Sequence, residues 1–293
     1  SIHNYKSTFF RLYFQLFLYF CLRKITGMNI KKRIITVVAL FLISYTFSQE
    51  KTFKLDTVVI SSSRIDLPFK ENSRTIQVIT SKQIKQSAVT NIADLLQQVA
   101  GVDVRRRGVS GMQSDLYIRG GSFDQTLLLI DGIKVEDPQT GHHTMNMALP
   151  LDIIERVEII KGAAARIFGQ NAFTGAVNIV TKKDAENVNS VGLQAGSFGQ
   201  KNGAITVGKN LENSSIIAHA SLNSSDGYRH NTDFKNQNYF IKNTCNKNNT
   251  PIDFIGYFTE RNFGANGFYA SPAAINQYEE TQSSLVGLST VIK

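Results

Sequence analysis

The chain has 293 residues, 42% of them hydrophobic, and a formal net charge of +9, which suffices for one large or two ordinary domains with buried cores. The charge is uneven: residues 1–48 hold Lys6, Arg11, Arg23, Lys24, Lys31, Lys32 and Arg33 and no acid, leaving 25 basic against 23 acidic residues beyond them. That near-neutral remainder excludes a broad nucleic-acid-binding surface, and with Cys245 the one cysteine past residue 48 it excludes an intrachain disulfide framework.

From Met28, "MNIKKR" is a basic n-region and Ile34 to Phe47 an apolar run of fourteen residues, with the small residues Thr46 and Ser48 ahead of Gln49. This is the pattern of a signal peptide over 28–48, cleaved after Ser48; the run is shorter than the roughly 20 residues a spanning helix needs. Residues 1–27 carry no initiator Met and precede a good start at Met28, so they read as upstream translation outside the native protein.

Residues 49–69 are polar and punctuated by Ser61, Ser62, Ser63 and Pro68, the composition of a flexible tether. Inside it lies "DTVVIS": Asp56, Thr57, Val58, Val59, Ile60 and Ser61. This β-prone run has no neighbouring strand, so it is either a first strand or an edge that waits for a partner.

A mixed α+β module over 70–183 follows. "RTIQVIT" (74–80) alternates as a strand, and Ser81 is placed to cap a helix whose Ile92, Leu95, Leu96 and Val99 share one face before Gly101 stops it. "VDVRR" is a strand. "DLYIRGG" (115–121) and "QTLLLIDGIKV" (125–135) are apolar runs, and the Asp131-Gly132 signal folds the second into a hairpin. "PLDIIERVEIIKG" gives a short helix leading into a strand closed by Gly162, and the segment to Lys183 ends in one more apolar strand.

Beyond Lys183 the chain becomes a series of alternating segments of about ten residues separated by Asn, Gly, Ser and Asp. Val191, Leu193 and Ala195 share one face of the first; Ile216, Ala218, Ala220 and Leu222 share one face of the third. The 110 residues from 184 to 293 hold roughly six strands of this kind. A transmembrane barrel, with Tyr239, Phe240, Phe254, Tyr257 and Phe258 as an interfacial girdle, fits the pattern; a soluble β-sandwich has the same period.

The remaining motifs are bland as chemistry. Arg105 to Arg107 lack the interleaved aromatics of a nucleic-acid site, and neither "GVSGMQ" nor "RGGSF" opens a helix with phosphate-binding spacing. His142 and His143 have no Asp, Glu or Cys at metal-ligand spacing, and no Ser/His/Asp or paired-carboxylate set stands out. We expect no catalytic residues, no metal and no cofactor.

"DLYIRGGSFDQTLLLIDGIKV" and "IERVEIIKGAAARIFGQNAFTGAVNIVTKK" resemble the plug domain and first barrel strands of TonB-dependent outer-membrane receptors, with departures at Ala163, Phe168 and Thr174. The resemblance implies an α+β plug followed by the start of a transmembrane antiparallel β-barrel. The family's barrel has 22 strands, so 184–293 would be its first, truncated part. It also implies an exported, non-enzymatic transporter of the outer membrane that touches lipid but no nucleic acid.

By the same resemblance, Asp56 to Ser61 would be the box that a TonB-type energy-coupling protein captures by strand addition. Arg119, Glu155, Arg156, Glu158 and Lys161 would be plug charges that bond to the barrel interior. His142, His143, Met145, Asn146 and Met147 would touch a bulky small-molecule ligand at an outward plug apex. "GVDVRRRGVSGMQSDLYIRG", "DPQTGHH" and "FGANGFYASP" are most similar to cobalamin-receptor-like proteins of the Bacteroidetes type, favouring a corrinoid. A ferric siderophore or haem receptor is the alternative within the family, and a soluble secreted β-rich binding protein the alternative outside it.

Overall fold

The computed structural model describes residues 59–60, 67–68 and 76–290, apart from 109–111, 138, 147–148, 187, 248–249 and 270. All of these fall in one compact unit, Thr57–Lys293. The signal-peptide reading, residues 1–27, and Asp56, Thr57, Val58 and Ser61 of the box lie outside the described residues. Its other two residues form β1 (Val59–Ile60), which pairs antiparallel with β2 (Leu67–Pro68) over two residues.

The first part of the unit is a five-stranded sheet. Its strands are β3 (Ile76–Thr80), β6 (Thr126–Ile130), β7 (Ile133–Val135), β8 (Ile154–Lys161) and β9 (Gly175–Thr181), in the order β3-β8-β9-β6-β7. The β6–β9 pair is parallel and the others antiparallel. Every residue of β6 and β9 is buried, because the sheet is covered on both faces; hence the continuous apolar runs instead of alternation. One face packs under α1 (Ser81–Gln86) and α2 (Ile92–Gln97) through Ile84, Ile92, Leu95 and Leu96; the other holds Leu127, Leu129, Ile160, Phe168 and Ala176.

The helical segment is two helices rather than the single one expected. Thr80, not Ser81, caps the first: its hydroxyl accepts from Gln83 N while the Gln83 side chain accepts from Thr80 N. Asn91 Oδ1 accepts from Asp94 N and starts the second. The Asp131-Gly132 hairpin forms as expected, with φ of 49° and 80°, the left-handed pair that a two-residue turn between twisted strands requires. A separate hairpin, β4 (Val102–Arg107) with β5 (Gln113–Ile118), stands beside the sheet.

The second part is one antiparallel sheet in sequential order. It comprises β10 (Ser190–Ala195), β11 (Lys201–Asn210), β12 (Ser214–Ser225), β13 (Phe234–Lys247), β14 (Thr250–Gly264) and β15 (Tyr278–Thr290). It curves against the plug as an unclosed wall, and alternation along each strand divides it into two faces of opposite character. The outward face carries Val191, Leu193, Val286 and Leu288, which are 74%, 83%, 75% and 73% exposed, with Ile205, Val207, Ile216, Leu222, Tyr239, Ile241, Phe254 and Phe258. The inward face buries Thr206, Ser215, His219, Asn236, Lys242, Asp253, Thr259 and Arg261.

A soluble sandwich buries its apolar face, so this inverted arrangement decides between the two readings left open by periodicity: the sheet is barrel-type. On β12 the apolar positions run from Ile216 to Leu222, about 20 Å along the strand and close to the apolar band of about 25 Å that such barrels present. The expected aromatic girdle holds for three of its five residues. Tyr239, Phe254 and Phe258 point outward, but Phe240 and Tyr257, one residue out of phase, are buried against the plug.

Candidate functional site

The inward face of the wall meets the plug in three levels. At the level of the short turns, Lys242, only 1% exposed, donates to Asp131 Oδ2 at 2.9 Å, to Thr181 Oγ1 at 2.7 Å and to Thr181 O at 3.3 Å. The same Asp131 carboxylate accepts from Thr181 N at 2.7 Å and from its hydroxyl at 2.6 Å. One buried cation thus clasps the β6–β7 turn and the end of β9 to the wall, and its charge is balanced on the spot, as burial demands. Lys183 adds a pair with Asp253 at 2.9 Å.

Ile217 and Ile255, in the cross-strand row of Lys242 itself, and Phe240 and Tyr257, in the next inward row, form an apolar belt that shares one core cluster with plug residues such as Ile118, Val135 and Ile153. On β15 the backbone itself comes close: a Cβ at Gly287 would collide with Ile133 Cδ1. Above the belt the seam turns polar. Arg261 Nη1 donates to Asn146 Oδ1 at 2.8 Å, and Asn238 Oδ1 accepts from Tyr257 and Thr259 at 3.0 and 2.9 Å. By the start of α2 the two parts line an open cleft of about 330 Å³, with Asn91, Ser114, Asn202, His219, Asn223 and Asn236 among its residues. Among the described residues, Ser114 Oγ, His219 Nε2, Asn223 Oδ1 and Asn236 Oδ1 have no hydrogen-bond partner there. Carboxamides, a hydroxyl and an imidazole of this kind can hold water or a neutral hydrogen-bonding group.

At the end with the longer wall connections, the β4–β5 hairpin and the 3₁₀ turn Gly141–Asn146 form the plug apex. His142 stacks on Phe123, with ring centroids 4.1 Å apart, and its Nδ1 lies 2.7 Å from Asp115 Oδ1. Tyr117 meets Phe123 edge to face, and the exposed Arg105 guanidinium sits 4.3 Å over the Tyr117 ring. Together they make one continuous cation, aromatic and imidazole surface. Arg107 donates to Phe268 O in the β14–β15 connection, and Tyr269 there hydrogen-bonds Glu279; burial and that partner push the Tyr269 phenol above its ordinary range.

The residues expected at the ligand are not all on this surface. His142 is part-exposed, while His143 lies between Asp137 and Glu279, 3.8 and 3.4 Å from its two ring nitrogens. Met145 belongs to the core and Asn146 is buried against Arg261; Met147 lies outside the described residues. The residues expected to bridge plug and wall have partners inside the plug. Arg156 bonds Glu155 and Glu158, Asn178 donates to Glu158, and Lys161 donates to Gln77 and Ala100 O. Arg119 is exposed with φ 52°.

Among the described residues, those that bond across to the six strands include Lys242, Asp131, Thr181, Arg261 and Asn146, together with Lys183, Asp253, Arg107, His143 and Glu279. Lys242 had a sequence signal: it is the one charged residue among the inward positions Phe234, Asn236, Asn238, Phe240 and Lys242 of β13. The plug cation Arg105 had one too, in its alternation with Asp103 across from Tyr117.

The arrangement is that of a plug domain seated against antiparallel strands that are apolar outside and carry polar groups inside. Residues 68–176 match the family model for the TonB-dependent receptor plug domain, and this segment is a plug domain of that family. The chain is 31% identical over 176 residues to the vitamin B12 transporter BtuB of Vibrio vulnificus, covering 60% of this chain and 28% of that protein. It is 32% identical over 140 residues to the BtuB of Vibrio cholerae, covering 48% and 23%. It therefore spans about a quarter of the length of these curated relatives. Among solved structures, the ferripyoverdine receptor of the Pseudomonas aeruginosa outer membrane superposes with a TM-score of 0.58 at 20% identity, over 70% of this chain and 28% of that one. The ferric-catecholate import receptor Fiu of E. coli K12 gives 0.53 at 20%, over 67% and 28%. These two establish the fold alone.

Proposed function

We propose that the chain is the plug and first wall strands of an energy-coupled importer of the outer membrane, delivered there by the signal peptide at 28–48. A TonB-type protein captures Asp56 to Ser61, and a corrinoid of the cobalamin kind is the cargo. The observation that carries this reading is the inverted wall: an apolar outer face and a buried polar inner face wrapped on a plug have a physical rationale only when lipid lies outside. The longer connections at the apex end mark the extracellular side, because such barrels keep short turns toward the periplasm. Strand addition at the box would replace only the two-residue β1–β2 ladder, a pairing too short to be stable alone.

The ligand contact centres on His142, Phe123 and Tyr117, with His143 behind them. An aromatic and imidazole patch suits a large, partly apolar, hydrogen-bond-rich molecule, and the curated relatives are B12 transporters. One observation favours a second reading: the exposed Arg105 guanidinium on the same patch, held by the exposed Asp103 at 3.0 Å, can re-pair with an anionic ferric chelate.

Equilibrium binding and energised uptake of radiolabelled cobalamin by cells making the complete gene product test both parts. His142→Ala should weaken cobalamin binding by about 1–3 kcal/mol, the scale of a few lost contacts. Tight binding of a ferric siderophore with none of cobalamin would select the second reading. Val59→Pro should abolish uptake and leave surface binding intact, because Pro removes a ladder donor far from the ligand; uptake at the parental rate would remove the box.

A further inference from the structure

His142, His143, His219 and His230 sit in different surroundings. His143 has a carboxylate facing each ring nitrogen. His219 is buried, with Nδ1 at 2.8 Å from Thr206 Oγ1, and His230 Nε2 lies 2.8 Å from Asn276 Oδ1. Among the described residues, only His142 combines a part-exposed ring, a carboxylate on Nδ1 and an Nε2 with no hydrogen-bond partner.

That carboxylate is the buried Asp115, whose side chain has His142 as its one partner among the described residues. An ionised carboxylate only accepts, so Nδ1 carries the hydrogen and the neutral ring keeps its lone pair on Nε2. A carboxylate behind an imidazole also fixes its orientation and makes the opposite nitrogen a stronger electron-pair donor, the relation found behind metal-binding histidines. The ring is seated as well: it stacks on Phe123, and its backbone N donates to Thr140 Oγ1 at 3.3 Å. A Cβ at Gly141 would press on Asp124 and Phe123, so the turn packs closely on that segment.

One such nitrogen cannot hold a free ion, and the described residues contain no group of three or more His, Cys, Asp or Glu that could. It can complete the coordination of a metal already held in a flat macrocycle, whose face would rest on the part-exposed rings of Phe123 and Tyr117. A fully wrapped ferric chelate has no position left for it.

We propose that His142 Nε2 coordinates the cobalt of the corrinoid cargo on its upper face, with Asp115 as the positioning residue. The inference deepens, and rests on, the reading of the cargo as a corrinoid. With aquacobalamin the step is a ligand substitution: the Co(III)–water bond breaks, water leaves, and the Nε2 lone pair forms the new bond. Cobalt keeps its oxidation state, and the Nδ1 hydrogen stays between His142 and Asp115. A corrinoid whose upper position is closed by cyanide binds through contacts alone, so the apex would select cargo with an exchangeable upper ligand.

The test titrates the purified complete gene product with aquacobalamin and with cyanocobalamin at neutral pH, reading affinity and the visible spectrum. The parent should move the aquacobalamin bands to the positions that free imidazole produces, leave the cyanocobalamin bands in place, and bind aquacobalamin more tightly. His142→Gln should abolish the band shift and bring the two affinities together. Asp115→Asn keeps an acceptor for Nδ1 but loses the charge, so the shift should survive while the preference for aquacobalamin falls about tenfold. Bound aquacobalamin with unshifted bands, or a shift that persists in His142→Gln, overturns the coordination. Failure of both corrinoids to bind the parent defeats the cargo reading and this site together, whereas equal binding of both with unchanged bands defeats the site alone.

Discussion

The plug sheet and the wall sheet are built from similar β-prone sequence yet solve opposite solvent problems. In the plug, β6 and β9 are buried on both faces and are mostly apolar, with Asn178 the polar residue inside β9 and water kept outside by α1, α2 and the second cluster around Phe168. In the wall, alternation persists but the apolar half points away from the protein and the polar half into it. Burial therefore marks an apolar core in one region and, in the other, a seam where polar side chains lie beside the belt of Ile217, Phe240, Ile255 and Tyr257. Hydrophobicity signals an inside only where the solvent outside is water.

The clasp between the two regions offers the largest effect by which this contrast can be broken. Lys242→Ala removes one member of a buried pair and leaves Asp131 uncompensated, so unfolding of the complete gene product in lipid vesicles should shift by about 3–5 kcal/mol. Lys242→Met combined with Asp131→Asn should cost much less than the single alanine change. Equal losses would mean that the pair does not join plug and wall.

The outward face gives the next largest effect. Val207→Arg, in the middle of the apolar band, should destabilise the protein in vesicles by about 2–4 kcal/mol if that face meets lipid, against less than about 0.5 kcal/mol at a water-exposed site. A denaturant titration of parent and variant reads the difference directly, and a negligible shift would return the wall to an ordinary solvated sheet.

The smallest effect sharpens the junction between the regions. Asp184 accepts from Asn210 Nδ2 at 2.6 Å and from Glu186 N at 2.7 Å, and these bonds hold its carboxyl below the ordinary range. A depressed folded-state value stabilises above the unfolded value, near 3.9, and the contribution is lost as pH falls through the lower, folded one. Asp184→Asn should therefore flatten the acid side of the stability profile and leave its neutral shape unchanged; thermal midpoints taken from pH 6 downward would show it.

Much of this was legible in the chain itself, because local chemistry settles local structure. The Asp131-Gly132 turn follows from the left-handed backbone it must adopt, the strand of "GAVNIVT" from its β-branched Val177, Ile179, Val180 and Thr181, and the faces of β10 and β12 from a strict period of two. Two short-range readings missed because neighbouring residues compete for one role: Thr80 took the cap from Ser81 through its reciprocal bond with Gln83, and Asn91 restarted the helix that Ser87 ended.

What only the tertiary structure decided is everything that depends on which face meets what. Period-two alternation is blind to whether water or lipid lies outside, so alternation alone left barrel and sandwich equal; the resemblance of the preceding segments favoured the barrel, and the exposure of the apolar face agrees with it. The same blindness placed Phe240 and Tyr257 in the girdle although they face the plug. Charges are the extreme case: Arg156, Glu158 and Lys161 found partners within the plug, while Asp131, a turn residue by sequence, met Lys242 from a strand 111 positions away. A buried charge takes whatever counter-charge the fold brings within reach, and that distance is fixed by packing, not by sequence separation.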